Sequence, residues 1–181
     1  MLNILELKKS NITDFAKARN ELLQKSKADW VLFLDSDEKL SSPIKNISNK
    51  YDGYYLTRKN YFLGQYVGDD KILRLGKRKF VTWKRGVHET WDIKNVSNLD
   101  NVIIHNTADN LTDYLKKINK YSDLHAKENL KEGKRSTLFK IIFFPIGKLI
   151  VTYIKSKHIV FSIMQSLHSY LAWLKLYFLQ H

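Results

Sequence analysis

Cysteine is absent from the 181 residues. Disulfides, thiolate metal ligands and a cysteine nucleophile are therefore excluded, and the composition is consistent with a reducing compartment. Long apolar runs are missing as well. The longest stretch without a formal charge, His158–Leu174, is 17 residues and contains several polar groups. A spanning helix needs about 20 predominantly apolar residues, so no transmembrane span is expected. Met1–Lys9 has no basic region ahead of a long apolar stretch, so no signal peptide is expected. Repeats and low-complexity segments are also lacking. Acidic residues are scarce, 18 against 31 Lys and Arg, giving a net charge of +13. What is present, 44% hydrophobic and 13% aromatic residues, argues for a folded chain. Its length allows one domain with an appendage.

The positive charge is segregated. Residues 58–85 hold nine Lys/Arg against two acids, a net of +7, and residues 131–181 hold eight against one, again +7. The remainder nets −1. Two basic blocks suggest two anionic partners, with solvated charged faces as the bland alternative.

Hydrophobic spacing outlines the elements. Leu2–Leu7 reads as a short strand. Thr13 or Asp14 caps a helix running to about Lys27, with Phe15, Ala18, Leu22 and Leu23 on one face. Trp30–Leu34 is a continuous apolar run, expected as a buried strand. Ser41-Ser42-Pro43 predicts an N-cap and first turn of a short helix to about Asn49. Residues 54–57, 72–75 and 102–105 read as strands. Leu111, Tyr114, Leu115, Ile118, Tyr121 and Leu124 keep helical spacing, with Gly133 placed to end that helix. Alternating strands and helices predict an α/β fold over residues 1–135.

Residues 136–181 differ in character. Leu138–Lys155 is rich in Ile, Phe and Leu, punctuated by Lys140, Lys148 and Lys155, and expected to be broken at Pro145 and Gly147. Further on, Val160, Ile163, Met164, Leu167, Tyr170, Leu171, Leu174 and Phe178 share one helical face, with Ser162, Gln165, Ser166 and Ser169 opposite. Such a pattern fits amphipathic helices lying in a membrane interface. The alternative is a helical pair packed on its own domain or on a second copy.

The chemistry concentrates at Asp35-Ser36-Asp37-Glu38, which follows the apolar run directly. Two or three carboxylates then sit at the carboxyl end of a buried strand, the edge where open α/β sheets bind ligands. Oxygen-only ligands there suit Mg²⁺ or Mn²⁺, and such a cation usually arrives with phosphate. The alternative is a strand-end turn capped by aspartates. Arg19, Arg74 and Arg85 offer charge-assisted bonds to phosphate oxygens, or are surface residues. His105 completes a metal shell, contacts phosphate, or is structural. His88 and His105 make no zinc pattern, since His-Glu-x-x-His and cysteine are both absent.

Several segments carry a family resemblance in order along the chain. Asp14-Phe15-Ala16-Lys17-Ala18-Arg19-Asn20, the helix after it and Trp30–Glu38 resemble the middle of family 2 glycosyltransferases of the GT-A fold. Downstream, Arg58–Gly64, Ile72–Leu75, Gly86-Val87-His88-Glu89, Ile103-Ile104-His105 and Tyr114–Tyr121 continue it. The similarity covers residues 1–130 approximately and is closest to the branch adding glucose-type sugars to the lipopolysaccharide core. It implies a partial GT-A, Rossmann-like mixed sheet with flanking helices, followed by C-terminal amphipathic helices.

The resemblance also implies roles. Asp37 would ligate a divalent metal bridging the diphosphate of a UDP-sugar donor, and Asp35 would contact the ribose, or the metal through water. Glu38 would border the sugar pocket, while Arg19, Asn20, Arg74 and Arg85 would contact the donor. An inverting transfer needs a base near the acceptor hydroxyl; Glu89 beside His88 and Trp91 is the first choice and Asp92 the reserve. An exposed Glu89 in an ordinary ion pair is the alternative. The implied acceptor is a saccharide or lipid-linked saccharide, and the implied location is the cytoplasmic face of the inner membrane, with peripheral contact through residues 136–181.

One departure stands out. The family's opening βαβ nucleotide-binding part, with its Thr-x-Asn-Glu type motif, does not precede Asp14, and the aspartate–glycine pattern expected near the C-terminus is replaced by His158-Ile159-Val160-Phe161. A truncated or split enzyme completed by a second chain, an inactive remnant, and pairing of Leu2–Leu7 with another copy in a homo-oligomer all fit this. A reading from a different class is a noncatalytic basic protein on membrane or nucleic acid, with Tyr54, Tyr55, Tyr61, Phe62, Phe80 and Trp83 interleaving the cations. Under the transferase reading nucleic acid is not an expected partner.

Overall fold

The computed structural model describes residues 1–7, 12, 14–80, 82–84, 90–91 and 93–181. They form two units that do not follow chain order. One comprises Met1–Asn60 with Asp69–Asn106, the other Tyr61–Gly68 with Thr107–His181.

The first unit is built on a mixed sheet of parallel and antiparallel strands. Strand β1 (Leu2–Leu7) runs parallel to β2 (Trp30–Asp35), with Leu2 opposite Trp30 and Leu7 opposite Asp35. Antiparallel to β2 lies β5 (Gln65–Lys77), which pairs Leu75 with Leu32. Next come β4 (Gly53–Phe62) and β8 (Val96–Ala108), and short β3 (Glu38–Leu40) pairs antiparallel to β8 with Glu38 opposite His105. The expected α/β class is therefore what forms.

Period two explains why β2 is apolar throughout: its side chains alternate between two cores. Val31 and Phe33 pack with Leu5, Ala16, Leu23, Trp83 and Trp91 on one face. Trp30, Leu32 and Leu34 pack with Tyr54, Leu56, Leu75 and Ile103 on the other. Phe33 meets Trp83 and Trp91 edge-on, at centroid distances of 5.3 and 5.6 Å. Trp83 and Trp91 face each other across the two-residue strands β6 (Trp83–Lys84) and β7 (Thr90–Trp91). Gly76 makes room for this cluster, since a Cβ there would lie 2.4 Å from the Trp91 ring.

Helix α1 (Phe15–Lys25) starts where expected: the Asp14 carboxylate accepts from the Lys17 N–H at 2.9 Å. It ends two residues earlier than the sequence suggests, at Lys25, with Ser26 as its C-cap. The short helix expected from Ser41 to Asn49 does not form. Ser42 instead accepts from the Asn101 side chain, through both its carbonyl and its hydroxyl, and Asn46 takes φ = 59°, which no right-handed helix accommodates. Ile44 and Ile47 reach the core from this irregular backbone.

The second unit contains the tip of the β4–β5 hairpin and three helices. Leu63 and Gly64 both have positive φ, 50° and 77°, as the two central residues of a type I′ hairpin turn require. Helix α2 (Leu111–Lys131) is capped by Asn110 and closed at Gly133, whose φ is 73°. The Lys134 N–H bonds back to the Asn129 carbonyl, so the expected glycine stop is realised. Tyr114 and Ile118 of α2 pack with Phe62 and Val67 of the hairpin, and with Phe161, Met164, Leu167 and Leu171 of α4 (Ile159–Leu179).

Helix α3 (Leu138–Ser156) runs unbroken through Pro145 and Gly147, contrary to expectation. Pro145 is buried, and its carbonyl accepts the Ser166 hydroxyl at 2.9 Å. This packing offsets the ladder bond that proline cannot donate. No helix among the described residues is long and apolar enough to cross a membrane.

Candidate active site

The acidic tip forms a tight turn between β2 and β3. Asp35 ends β2, Ser36 and Asp37 make the turn, and Glu38 opens β3. The turn is pinned twice: the Asp35 N–H donates to the Glu38 carboxylate at 3.0 Å, and the Asn106 N–H donates to the Asp37 carbonyl at 3.0 Å.

The three carboxylates have different surroundings. Asp35 receives Arg19 from α1 on one oxygen at 2.6 Å and Arg74 from β5 on the other at 2.9 Å. Burial pushes its carboxyl up, but the two guanidiniums outweigh burial and hold it below the usual carboxylate value. Arg19 is only 1% exposed and lies over the Trp83 ring at 4.8 Å, so the guanidinium is packed as well as paired. Glu38 has no exposed side-chain surface and bonds Arg58 at 3.0 Å. It therefore holds the turn together, and as a wholly buried side chain it cannot border a sugar pocket. Asp37 is the partly exposed member, 3.5 Å from the Nε2 of His105.

A relay behind His105 fixes its tautomer. Arg58 grips Asp70 through Nε at 3.0 Å and through a terminal nitrogen at 2.6 Å. The ionised Asp70 can only accept, so the Asn60 amide nitrogen must face it, at 2.9 Å. That orientation turns the Asn60 oxygen to the Nδ1 of His105, 2.8 Å away. Nδ1 then carries the proton, and in the neutral ring the Nε2 lone pair faces the Asp37 carboxylate. A carboxylate oxygen and an imidazole nitrogen 3.5 Å apart are an arrangement that a cation or a proton stabilises. Burial pushes Asp70 up, but the Arg58 and Asn60 hydrogen bonds outweigh it and lower its pKa; Asp70 and Glu38 in turn raise that of Arg58 against the burial that lowers it.

Among the described residues no group of three or more His, Asp or Glu is arranged to hold a metal. Asp37 and His105 supply two donors. Mg²⁺ and Mn²⁺ sites commonly use one or two carboxylates and draw the rest of the shell from substrate phosphates and water, and imidazole is an acceptable ligand. The pair fits a cation that arrives with a diphosphate.

The remaining expected site residues lie as follows. Asn20 accepts from the Trp83 N–H at 3.0 Å and donates to the Trp83 carbonyl at 3.1 Å, pinning β6 against α1. A cleft beside it is lined by Asp14, Ala16, Lys17, Glu21, Gln24 and Trp83. Arg85, His88, Glu89 and Asp92 lie outside the described residues. Sequence reasoning missed the Arg58–Asp70–Asn60 relay. Its available signal was the alternation that puts Arg58 and Asn60 on one face of β4.

A mixed sheet with acidic residues at a strand tip is common to many nucleotide-dependent enzymes, and similarity to known proteins narrows the class: the chain is similar to glycosyltransferases. It is 25% identical to the lipopolysaccharide core biosynthesis glycosyltransferase LpsC of Rhizobium meliloti over 150 residues, 72% of this chain and 54% of that protein. It is also 25% identical over 138 residues to uncharacterized glycosyltransferases of Rickettsia typhi and Rickettsia prowazekii, covering 62% of this chain and 47% of each. The chain thus spans about half the length of the curated relatives it matches. No family model matches it.

Proposed function

We propose that this chain carries the metal-binding part of an inverting family 2 glycosyltransferase of the GT-A fold, which moves a hexose from a UDP-sugar to a lipopolysaccharide-core or related cell-envelope saccharide. The observation that carries this reading is the 3.5 Å approach of Asp37 and His105 Nε2, with Nδ1 committed to Asn60. Asp37 and His105 would hold Mg²⁺ or Mn²⁺. The bound cation would offset charge building on the departing diphosphate. Arg19 and Arg74 keep Asp35 ionised at the turn, and Glu38 fixes the turn's shape. The acceptor oxygen bonds the anomeric carbon as the bond to the diphosphate breaks, and its proton passes to a carboxylate, Glu89 first and Asp92 second. A nucleotide-binding half, in the same polypeptide or a second chain, would extend the sheet beyond β1. The enzyme would work on the cytoplasmic face of the inner membrane.

The nucleic-acid alternative draws less support. Within the basic block 58–85, Arg58, Arg74 and Lys77 are paired with Asp70, Asp35 and Asp52. Those charges are largely neutralised internally, and less positive field remains for a polyanion.

Calorimetric titration with UDP, with and without Mn²⁺, tests the reading. Binding should require the metal and fall at least about tenfold in Asp37→Ala, the range seen when a metal ligand or its support is lost. Metal-independent binding, or binding unchanged in Asp37→Ala, would refute it.

A further inference from the structure

Helices α3 and α4 bury a mixed seam of apolar and hydroxyl side chains and leave a broad apolar surface facing solvent. On α3 only a narrow stripe is buried, formed by Ile141, Pro145 and Thr152. At about 100° per residue, Phe139, Phe143, Ile146, Ile150 and Ile154 fall on the opposite side, with Ile142 on its flank. Each of these six is between 48% and 61% exposed. On α4, Ile159, Val160, Ile163 and Phe178 are exposed in the same way.

Hydroxyls and amides do much of the joining. Ser166 donates to the Pro145 carbonyl at 2.9 Å, and the fully buried Ser162 lies 3.4 Å from Ser156. Where the hairpin's ends meet, Ser136 donates to the Trp173 carbonyl at 2.7 Å, and the Gln180 side chain both donates to and accepts from the Ser136 backbone. The pairing of α3 with α4 therefore does not consume the outer apolar face.

We infer that this outer face of α3, continued by the exposed side chains of α4, docks flat on an anionic phospholipid bilayer. Three observations select that occupant. Residues 138–181 contain five lysines and no acid, so the element complements a negative surface. A second copy docked on the same element would bring two elements of net positive charge together, with no acid within residues 138–181 of either to offset them. Insertion across the bilayer fails because no described helix is long and apolar enough. Lys148 and Lys155 are exposed and fall beside the packed stripe, away from the apolar side. A helix lying in the interface then sinks its Phe and Ile side chains and keeps these ammonium groups at headgroup level. Lys140 differs: it lies 5.1 Å over the Trp173 ring and donates to the Arg135 carbonyl.

Vesicle flotation without metal or nucleotide tests this, so a failure here leaves the sugar-donor reading untouched. The chain should float with phosphatidylcholine vesicles containing phosphatidylglycerol, much less with phosphatidylcholine alone, and progressively less as salt rises. The double substitution Phe143→Ser/Ile150→Ser should weaken binding at least about tenfold. Lys148→Gln/Lys155→Gln should weaken binding to the anionic vesicles by about tenfold, with little change on neutral ones. Both pairs lie on the surface, so circular dichroism and the unfolding midpoint should not move. Equal flotation of Phe143→Ser/Ile150→Ser and the unsubstituted chain would overturn the inference. So would a chain that ignores anionic vesicles and forms a dimer that this same substitution dissociates.

Discussion

The sheet unit and the helical unit depart from ordinary burial in opposite directions. In the sheet unit, Arg19 and Glu38 are buried and paired, with Asp35 and Arg58 respectively. In the helical unit, Phe139, Ile142 and Ile154 face outward while Ser122 and Ser162 are fully buried. Buried charge is costly unless paired, and exposed hydrocarbon is wasted unless something covers it. Each departure therefore marks a surface or a geometry that the fold serves: the sheet holds one carboxylate and one imidazole nitrogen face to face, and the helices keep an apolar face outward.

If the comparison is right, equal-sized substitutions in the two units should differ widely in cost. Arg58→Ala should show the largest effect, about 3–5 kcal/mol in urea unfolding, because Glu38 and Asp70 lose their shared partner and Glu38 stays buried. Acid should act at the same place. Asp35 and Asp70 both have lowered pKa values, so the stability they lend is fully present above the ordinary aspartate value near pH 4 and is lost as pH falls through their lower folded values. Unfolding midpoints followed through this range should decline, and Asp70→Asn should flatten the decline. Ser162→Leu should cost about 1–3 kcal/mol by overpacking the α3–α4 seam. Asn110→Ala should cost about 1 kcal/mol through loss of the α2 cap. Phe143→Ser should change stability by no more than about 0.5 kcal/mol, although it removes an aromatic ring. A large loss at Phe143 would mean the face is covered within the protein, and the contrast between the units would dissolve.

Local signals made half of this legible. The run Trp30–Leu34 bounded by acids identifies β2 and its tip because strand, turn and carboxylates are contiguous. The period of α2 and its Gly133 stop are equally local. Two misreadings came from local rules overridden by tertiary contacts: Ser41-Ser42-Pro43 resembles a helix start until Asn101 takes Ser42, and Pro145 resembles a break until α4 packs on it. Of the relay from Arg58 to His105, only the placement of Arg58 and Asn60 on one face of β4 is local. The rest needs β4, β5 and β8 to be neighbours, and their pairing is set by the sheet as a whole. Even the amphipathic pattern of α4 divides in three dimensions: Met164, Leu167 and Leu171 pack with Tyr114 and Ile118, whereas Val160, Ile163 and Phe178 remain exposed.

The most direct test of the site is pulsed electron paramagnetic resonance of Mn²⁺ added with UDP. The account predicts a nitrogen coupling from one imidazole, absent in His105→Gln and retained in His88→Gln, with Mn²⁺ affinity lowered in Asp37→Asn. A spectrum without nitrogen coupling, or one that His105→Gln leaves unaltered, would contradict it.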